Sequence, residues 1–540
     1  MNRLLQNAIT RQAETQPDRT AIVDGDSHIT YGGLERDASR LAHCLIRAGC
    51  KQGDRVGILI PKSIVAISAI LATLKAGCIY VPLDPACPAP RLLAMIRSCQ
   101  CRLILAAGAT HTVVSKLGSA HPANQRLNVG WLGTGEAPAG VSVPFTAADW
   151  HAAPDTTLPC RGLSEDVAHI LFTSGSTGVP KGVMITHANV LAFLDWALPY
   201  FGHTPSDRIS SHPPLHFDLS TFDIFGTLSA GASLYLISPS LNLLPHKLAE
   251  AMRRLELTQW FSVPSLLNYM ARFDAVRQHD FPSLKRLLWC GEPFPTPALI
   301  YWIERLPHVT FTNLYGPTEA TIASSYYRVS ACPASAQDQI PIGKPCQGEE
   351  LLVLDQDRAR VGAGVIGDLY IRGSGLSPGY WNDPEKTSTV FVRDPFAADP
   401  RARIYKTGDL ASVDEAGLFY LHGRADSQVK SRGYRIELGE IESALQAIEG
   451  IRDCVITAVP TEGFEGQTIC CAFVAEPGHD LSPQVLRRRL GECLPAYMIP
   501  ARWMQMDRLA VNGNGKIDRA GIRERFAAEL NEALVYAKRV

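Results

Sequence analysis

Apolar and polar positions follow two periods along this chain. Short apolar runs recur at "DRVGILI" (54–60), "GCIYVPL" (77–83), "CRLILAA" (101–107), "HILF" (169–172), "ASLYLI" (232–237) and "RLLW" (286–289). Each has the length and composition of a buried strand. Between the first two, "SIVAISAILATLKA" (63–76) is apolar on every face and long enough for a buried helix. Strands that alternate with helices through the first 420 or so residues predict an α/β class, with doubly wound parallel sheets. The opening residues 1–22 place apolar side chains at helical spacing broken by charges, which predicts an amphipathic helix and not a signal peptide. Residues 108–165 are rich in Pro, Gly and Ala and show no period, so an irregular surface connection is expected there.

The pattern changes near residue 424. Residues 423–448 are far more charged than what precedes them, and a small α+β pattern follows. It comprises a helix at 439–449, strands "DCVITAV" and "TICCAFVA", and a helix at 482–493. A boundary at 424–428 divides the chain into a large N-terminal domain, 1–425, and a small C-terminal domain, 426–540. Two or more domains are what 540 residues require in any case.

Bulk composition narrows the function classes. Charge is balanced, 52 basic against 53 acidic residues, and no basic run or zinc-ligand spacing points to nucleic acid. No apolar stretch reaches the ~20 residues of a bilayer span; the longest candidate is cut by Pro61 and Lys62. Fourteen scattered cysteines without a C-x-x-C pattern argue against a disulfide framework or metal site and fit a reducing, cytoplasmic setting.

One stretch concentrates candidate chemistry. "LFTSGSTGVPKG" (171–182) holds three glycines, four hydroxyl side chains and Lys181, and an apolar strand leads into it. Glycine lets backbone N–H groups approach an anion, hydroxyls add donors, and lysine adds charge, so the segment reads as a phosphate cradle. It is not a Walker A loop, since G-x-x-x-x-G-K-[ST] is absent. "GAGVIG" (362–367) matches G-x-G-x-x-G but leads into a strand, which excludes a dinucleotide site.

Further segments follow in order: "NLYGPTEAT" (313–321), "YKTGDL" (405–410), "GRADSQVKSRGYRIELGEIE" (423–442) and "NGNGKIDR" (512–519). With "TSGSTGVPKG" they resemble the core motifs of the adenylate-forming (ANL) superfamily, which includes acyl-CoA synthetases, luciferase and nonribosomal peptide synthetase adenylation domains. "LKAGCIYVPLDP" (74–85) and "FDLSTFDIF" (217–225) extend the resemblance, which runs from about residue 10 to 520.

The resemblance implies attack of a carboxylate on the α-phosphorus of ATP, releasing pyrophosphate and leaving an acyl-adenylate. It assigns Thr173, Ser174, Gly175, Ser176, Thr177, Gly178 and Lys181 to the β- and γ-phosphates. Thr318 would bond the α-phosphate and Glu319 would hold Mg²⁺. Asp409 would accept from both ribose hydroxyls, and Tyr315 would stack on adenine beside Gly316. Asn313 and the Gly291–Glu292 backbone would meet the adenine edge, with Arg424 at ribose or phosphate. Lys516 resembles a mobile catalytic lysine, and Asp426 the hinge about which the C-terminal domain turns.

Within that superfamily the resemblance is to freestanding amino-acid adenylation enzymes. Asp218 matches the aspartate that pairs with a substrate α-ammonium, a group fatty acids lack. The aligned pocket wall is Leu219, Phe222, Ser262, Leu288, Cys290, Leu314, Ile322 and Ala323, mainly apolar and without a second charge. A small neutral amino acid is expected, alanine or serine first and proline or cysteine next. Only 21 residues follow Arg519 and no H-H-x-x-x-D-G motif occurs, so the expected acceptor is the phosphopantetheine arm of a separate carrier protein. The alternatives are an acyl-CoA synthetase acting on a small carboxylic acid and a non-catalytic binding module of the same fold.

Overall fold

The structure, a computed structural model, describes residues 3–120, 126–159, 162–175, 180–461, 466–479, 481–510 and 517–537. The chain forms two compact units. The first comprises Met1–Pro85, Met95–Phe172 and Gly182–Ala425; the second comprises Ala86–Ala94, Thr173–Lys181 and Asp426–Val540.

In the first unit, short apolar runs become strands buried on both faces, as parallel sheets require. A six-stranded sheet runs in the order Val129–Trp131, Leu103–Ala106, Arg55–Leu59, Ile79–Pro82, Val167–Thr173, Lys181–Thr186. A nine-stranded sheet has six parallel strands at its centre: Thr310–Tyr315, Arg286–Trp289, Gln259–Ser262, Arg208–Ser211, Ser233–Leu236 and Thr20–Asp24. The helix Ile64–Lys75 is buried almost throughout and starts at Ser63, whose Oγ accepts from Ala66 N at 3.3 Å. The opening helix is Leu5–Thr15, with Leu5 and Ile9 in the core.

Two expectations are corrected. Residues 108–165 are not an irregular connection: they contain a helix His111–Ser119, an edge strand Val129–Trp131 and a helix Ala147–Ala152. Buried Trp131, Phe145 and Trp150 anchor them, and Trp150 Nε1 donates to Asp37 O at 2.9 Å. Elements this short carry no period of their own; long-range pairing makes them. Parallel winding also stops before residue 349. Glu349–Leu354, Gly367–Gly373, Arg403–Val413, Phe391–Arg393 and Phe419–Arg424 form a separate antiparallel sheet around Leu351, Leu369 and Ile371.

The second unit holds a hairpin, Gln428–Ser431 with Tyr434–Glu437, whose turn residues Arg432 and Gly433 both have positive φ (54° and 80°). A three-stranded sheet, Ile451–Pro460, Gln467–Ala475 and Arg502–Gln505, is covered on both faces. The adjacent cysteines show the alternation: Cys471 packs with Ile441 and Leu486, Cys470 with Ile522 and Phe526. Among the described residues no helix is long and apolar enough to cross a membrane.

Buried neutral histidines make a stability prediction. Burial pushes His169 down to about 3, with His187 adding to the effect, and pushes His187 down to about 4 against the opposing pull of Asp166. His187 Nδ1 accepts from Leu5 N at 3.2 Å, a bond that only an unprotonated nitrogen makes. The unfolded chain takes up these protons near pH 6.5 and the folded chain does not, so stability is full above that pH. It falls as pH drops toward the folded values, on the order of 1 kcal/mol per pH unit for each histidine. Tm should therefore be level between pH 7.5 and about 6.5 and fall from there to pH 5, and His187→Asn should flatten that slope; a pH-independent Tm would contradict it.

Candidate active site

The carboxyl ends of the central parallel strands converge, which is where ligands bind in open α/β sheets. Ser262, Leu288, Cys290 and Leu314 lie at or just beyond the ends of three neighbouring strands and are buried. Cys290 N donates to Ser262 O at 3.3 Å, and its Sγ lies 3.9 Å from Ile322 O. Phe222 packs edge-on at 6.0 Å from Phe261, the residue before Ser262. The segment after Asp218 is helical but widened into a π turn at Phe222–Gly226, a local irregularity often found at functional sites.

The wall's other side is strained. Thr321 and Ile322, both β-branched, have φ of 57° and 71°, a region that costs such residues free energy. The surroundings hold them there: Thr321 Oγ1 donates to Gly375 O at 2.7 Å and Ser324 N to Tyr315 O at 2.7 Å. Gly316 is required by close approach, because a Cβ there would sit 2.5 Å from Ala323 Cα. The loop 316–323 thus brings Thr318, Glu319, Ile322 and Ala323 to one place.

Three carboxylates define the polar part. Thr318 Oγ1 donates to Asp218 Oδ2 at 3.0 Å across 100 residues of sequence. Glu319 is fully buried, and Oε1 accepts from the Tyr380 hydroxyl at 2.7 Å. Asp409 accepts from the Tyr315 hydroxyl and from Arg424 Nη1, each at 2.6 Å, one on each oxygen. Burial first, and then the Asp409 carboxylate, push the Tyr315 phenol well above its ordinary range, so it stays a donor. Asn313 Nδ2 donates to Pro341 O at 2.9 Å, and Glu292 Oε2 accepts from Ser265 N at 3.0 Å; Gly291 has φ of 102°.

Thr173, Ser174, Gly175 and Lys181 belong to the second unit, as does Asp426. There Ser174 Oγ donates to Arg435 O at 2.6 Å, Gly175 N to Glu440 Oε2 at 3.2 Å, and Lys181 Nζ to Glu437 Oε1 at 3.2 Å. Asp426 Oδ1 accepts from Gln428 N at 3.1 Å. Ser176, Thr177, Gly178 and Lys516 lie outside the described residues.

Sequence reading missed two contributors. Tyr380, in "GLSPGYW", reaches Glu319 from 61 residues away, and His212 lies 3.5 Å from Ser262 Oγ while its Nε2 meets Asn242 Oδ1 at 3.0 Å. Tyr380 follows a glycine-rich turn that holds no charged residue to single it out, and His212 stands in no periodic context.

Known proteins share this organisation. The family described as AMP-binding enzyme matches residues 9–381, and AMP-binding enzyme C-terminal domain matches residues 440–516. Tyrocidine synthase 3 of Brevibacillus parabrevis is 34% identical over 522 residues, covering 97% of this chain and 8% of its own length. Bacitracin synthase 1 of Bacillus licheniformis is 34% identical over 520 residues, covering 96% of this chain and 9% of its own length. This chain therefore spans a small part of these curated relatives. Among solved structures, holo-PA1221, an NRPS protein containing adenylation and PCP domains, is 28% identical. Its TM-score is 0.80, with 97% of this chain and 84% of that chain covered.

Proposed function

The chain belongs to the AMP-binding enzyme family, and on that footing we propose that it activates a small neutral amino acid as an aminoacyl-adenylate and transfers it to a phosphopantetheine thiol on a carrier protein. The observation that carries this reading is the Asp218 carboxylate, bonded to Thr318 and placed among an apolar wall. A half-buried carboxylate there suits an ammonium group, which needs a partner of opposite charge once it leaves water. A wall whose polar atoms are the Ser262 hydroxyl near His212 and the Cys290 thiol near Ile322 O supports an uncharged side chain: alanine or serine first, proline or cysteine next. A difference of one methylene discriminates by only ~1–3 kcal/mol, so neighbouring amino acids compete.

In the proposed reaction the substrate carboxylate attacks the α-phosphorus of ATP and pyrophosphate leaves. Asp218 fixes the amino acid by its ammonium end, so that its carboxylate points along the line of attack. Thr318 has one proton to give, now on Asp218, and an arriving ammonium would release it toward the α-phosphate. Asp409, already holding Arg424 and Tyr315, retains lone pairs for ribose hydroxyls. Glu319 fits Mg²⁺ that arrives with the nucleotide, since Mg²⁺ is bound through one or two carboxylates plus substrate phosphates. Among the described residues no group of three or more His, Cys, Asp or Glu forms an all-protein cage. When bound, the ion neutralises phosphate charge.

The deciding measurement is amino-acid-dependent ATP–pyrophosphate exchange across a panel, followed by loading of a phosphopantetheinylated carrier. Exchange supported by simple carboxylic acids and not by amino acids would replace this reading with acyl-CoA synthesis; no exchange with either would leave a binding module. Tyr380→Phe tests the support of Glu319. A hydrogen bond to a charged group is worth about 1.5–3 kcal/mol, so exchange should fall about tenfold or more, with a raised Mg²⁺ requirement. Unchanged Mg²⁺ dependence would mean that Glu319 does not act through the metal.

A further inference from the structure

Lys62 lies outside the motif segments, three residues beyond the strand Arg55–Leu59, and its side chain meets a different sheet. Nζ donates to Ser211 O at 2.6 Å, His212 O at 2.8 Å and Pro213 O at 3.3 Å. All three ammonium donors are spent on consecutive carbonyls, where the strand Arg208–Ser211 ends and the chain turns toward Asp218. The same segment carries His212, whose ring lies tilted at 5.1 Å from that of Trp260 and rests against Ser262.

A buried carboxyl group interacts with it electrostatically. Asp223 is 1% exposed, and neither of its oxygens has a hydrogen-bond partner among the described residues. Burial drives Lys62 down to about 7 and Asp223 well up, while each one's charge opposes the other's shift. Desolvating an ammonium is costly, and at Lys62 the three carbonyls, with the charges of Asp223 and Asp24, offset that cost.

We propose that Lys62 is a positioning residue for the carboxylic substrate: by holding the 211–213 carbonyls it sets the path that delivers Asp218 and the His212–Ser262 wall to the site. The inference rests on the amino-acid reading above. It predicts an asymmetry that a general scaffold residue lacks. The residues proposed for adenine, ribose and Mg²⁺, namely Tyr315, Glu319 and Asp409, are not held by Lys62, so loss of its donors should weigh chiefly on the amino acid.

The test is steady-state pyrophosphate exchange by Lys62→Met and by Lys62→Met with Asp223→Asn, which removes the stranded carboxylate charge should the single variant not fold. Both are compared with the wild type by circular dichroism and Tm. The expected result is at least a tenfold rise in KM for the amino acid, with KM for ATP within twofold of wild type. An amino-acid KM within twofold of wild type, or an equal rise in both KM values, overturns the inference. So does failure of both variants to fold, which would make Lys62 a folding residue. If the wild type exchanges with a carboxylic acid lacking an amine, the parent reading fails and the Lys62 inference is scored on the KM of that acid.

Discussion

Asp218→Ala should all but abolish amino-acid activation while leaving ATP binding intact. Its carboxylate is held by Thr318 at 3.0 Å and sits where the chain enters the π turn, beside Leu219 and Phe222 of the apolar wall. Asp218 is half-buried, and a bound amino acid would complete its desolvation; removing one partner of an ion pair so buried costs about 3–5 kcal/mol, because the remaining charge is left stranded. At about 1.4 kcal/mol per factor of ten, kcat/KM for the best amino acid should fall about 10²- to 10⁴-fold. The mutant should also lose its preference for the amino acid over the same acid without its amine, since neither then has a partner at position 218. Retention of kcat/KM, or of that preference, would remove Asp218 from ammonium binding.

Lys516→Ala should lower adenylate formation by several orders of magnitude yet spare transfer to a carrier from pre-formed aminoacyl-adenylate. The physical need lies in the site's charge. Asp218, Glu319 and Asp409 are carboxylates, and Arg424, the cation beside them, is already bonded to Asp409. Two further anions, the substrate carboxylate and the triphosphate, must meet there. A cation placed where charge develops in the transition state typically contributes about two to three powers of ten, and a long flexible ammonium can arrive and withdraw. Activity in the two half-reactions on one preparation decides the point. Equal loss in both would show that Lys516 supports the fold or binds both substrates and does not serve adenylation alone.

How far the sequence speaks depends on the range over which a signal acts. Periods of two and 3.6 register which face of a single element is buried, so the strands at Arg55–Leu59, Ile79–Pro82 and Arg286–Trp289 and the helix Ile64–Lys75 are legible from the chain. Turn chemistry is equally local: "SRGY" gives the hairpin its two positive-φ residues, and Ser63 announces its helix. Ordered motifs point to the family that the comparisons then show, because glycines, hydroxyls and carboxylates at fixed spacing are what phosphate chemistry requires of a backbone.

Pairing across long separations is a different matter, and here the tertiary structure decides. Thr318 meets Asp218, Tyr380 meets Glu319 and Lys62 meets Ser211 only because the sheet orders bring distant strand ends together; residues 100, 61 and 149 positions apart leave no mutual imprint on local composition. The strained backbone at Thr321 and Ile322 is likewise invisible in sequence, since both residues favour extended conformations and adopt positive φ only under the hold of Gly375 and Tyr315. Residues 108–165 make the same point about the fold, for Val129–Trp131 is a strand through long-range pairing with Leu103–Ala106 on one side and bonds to Ser142 and Phe145 on the other. The sequence by itself determined the longer, periodic elements, the family and the chemical types of the site, because these follow from short-range sterics and burial. The tertiary structure decided which side chain holds which, because that depends on the order of the strands.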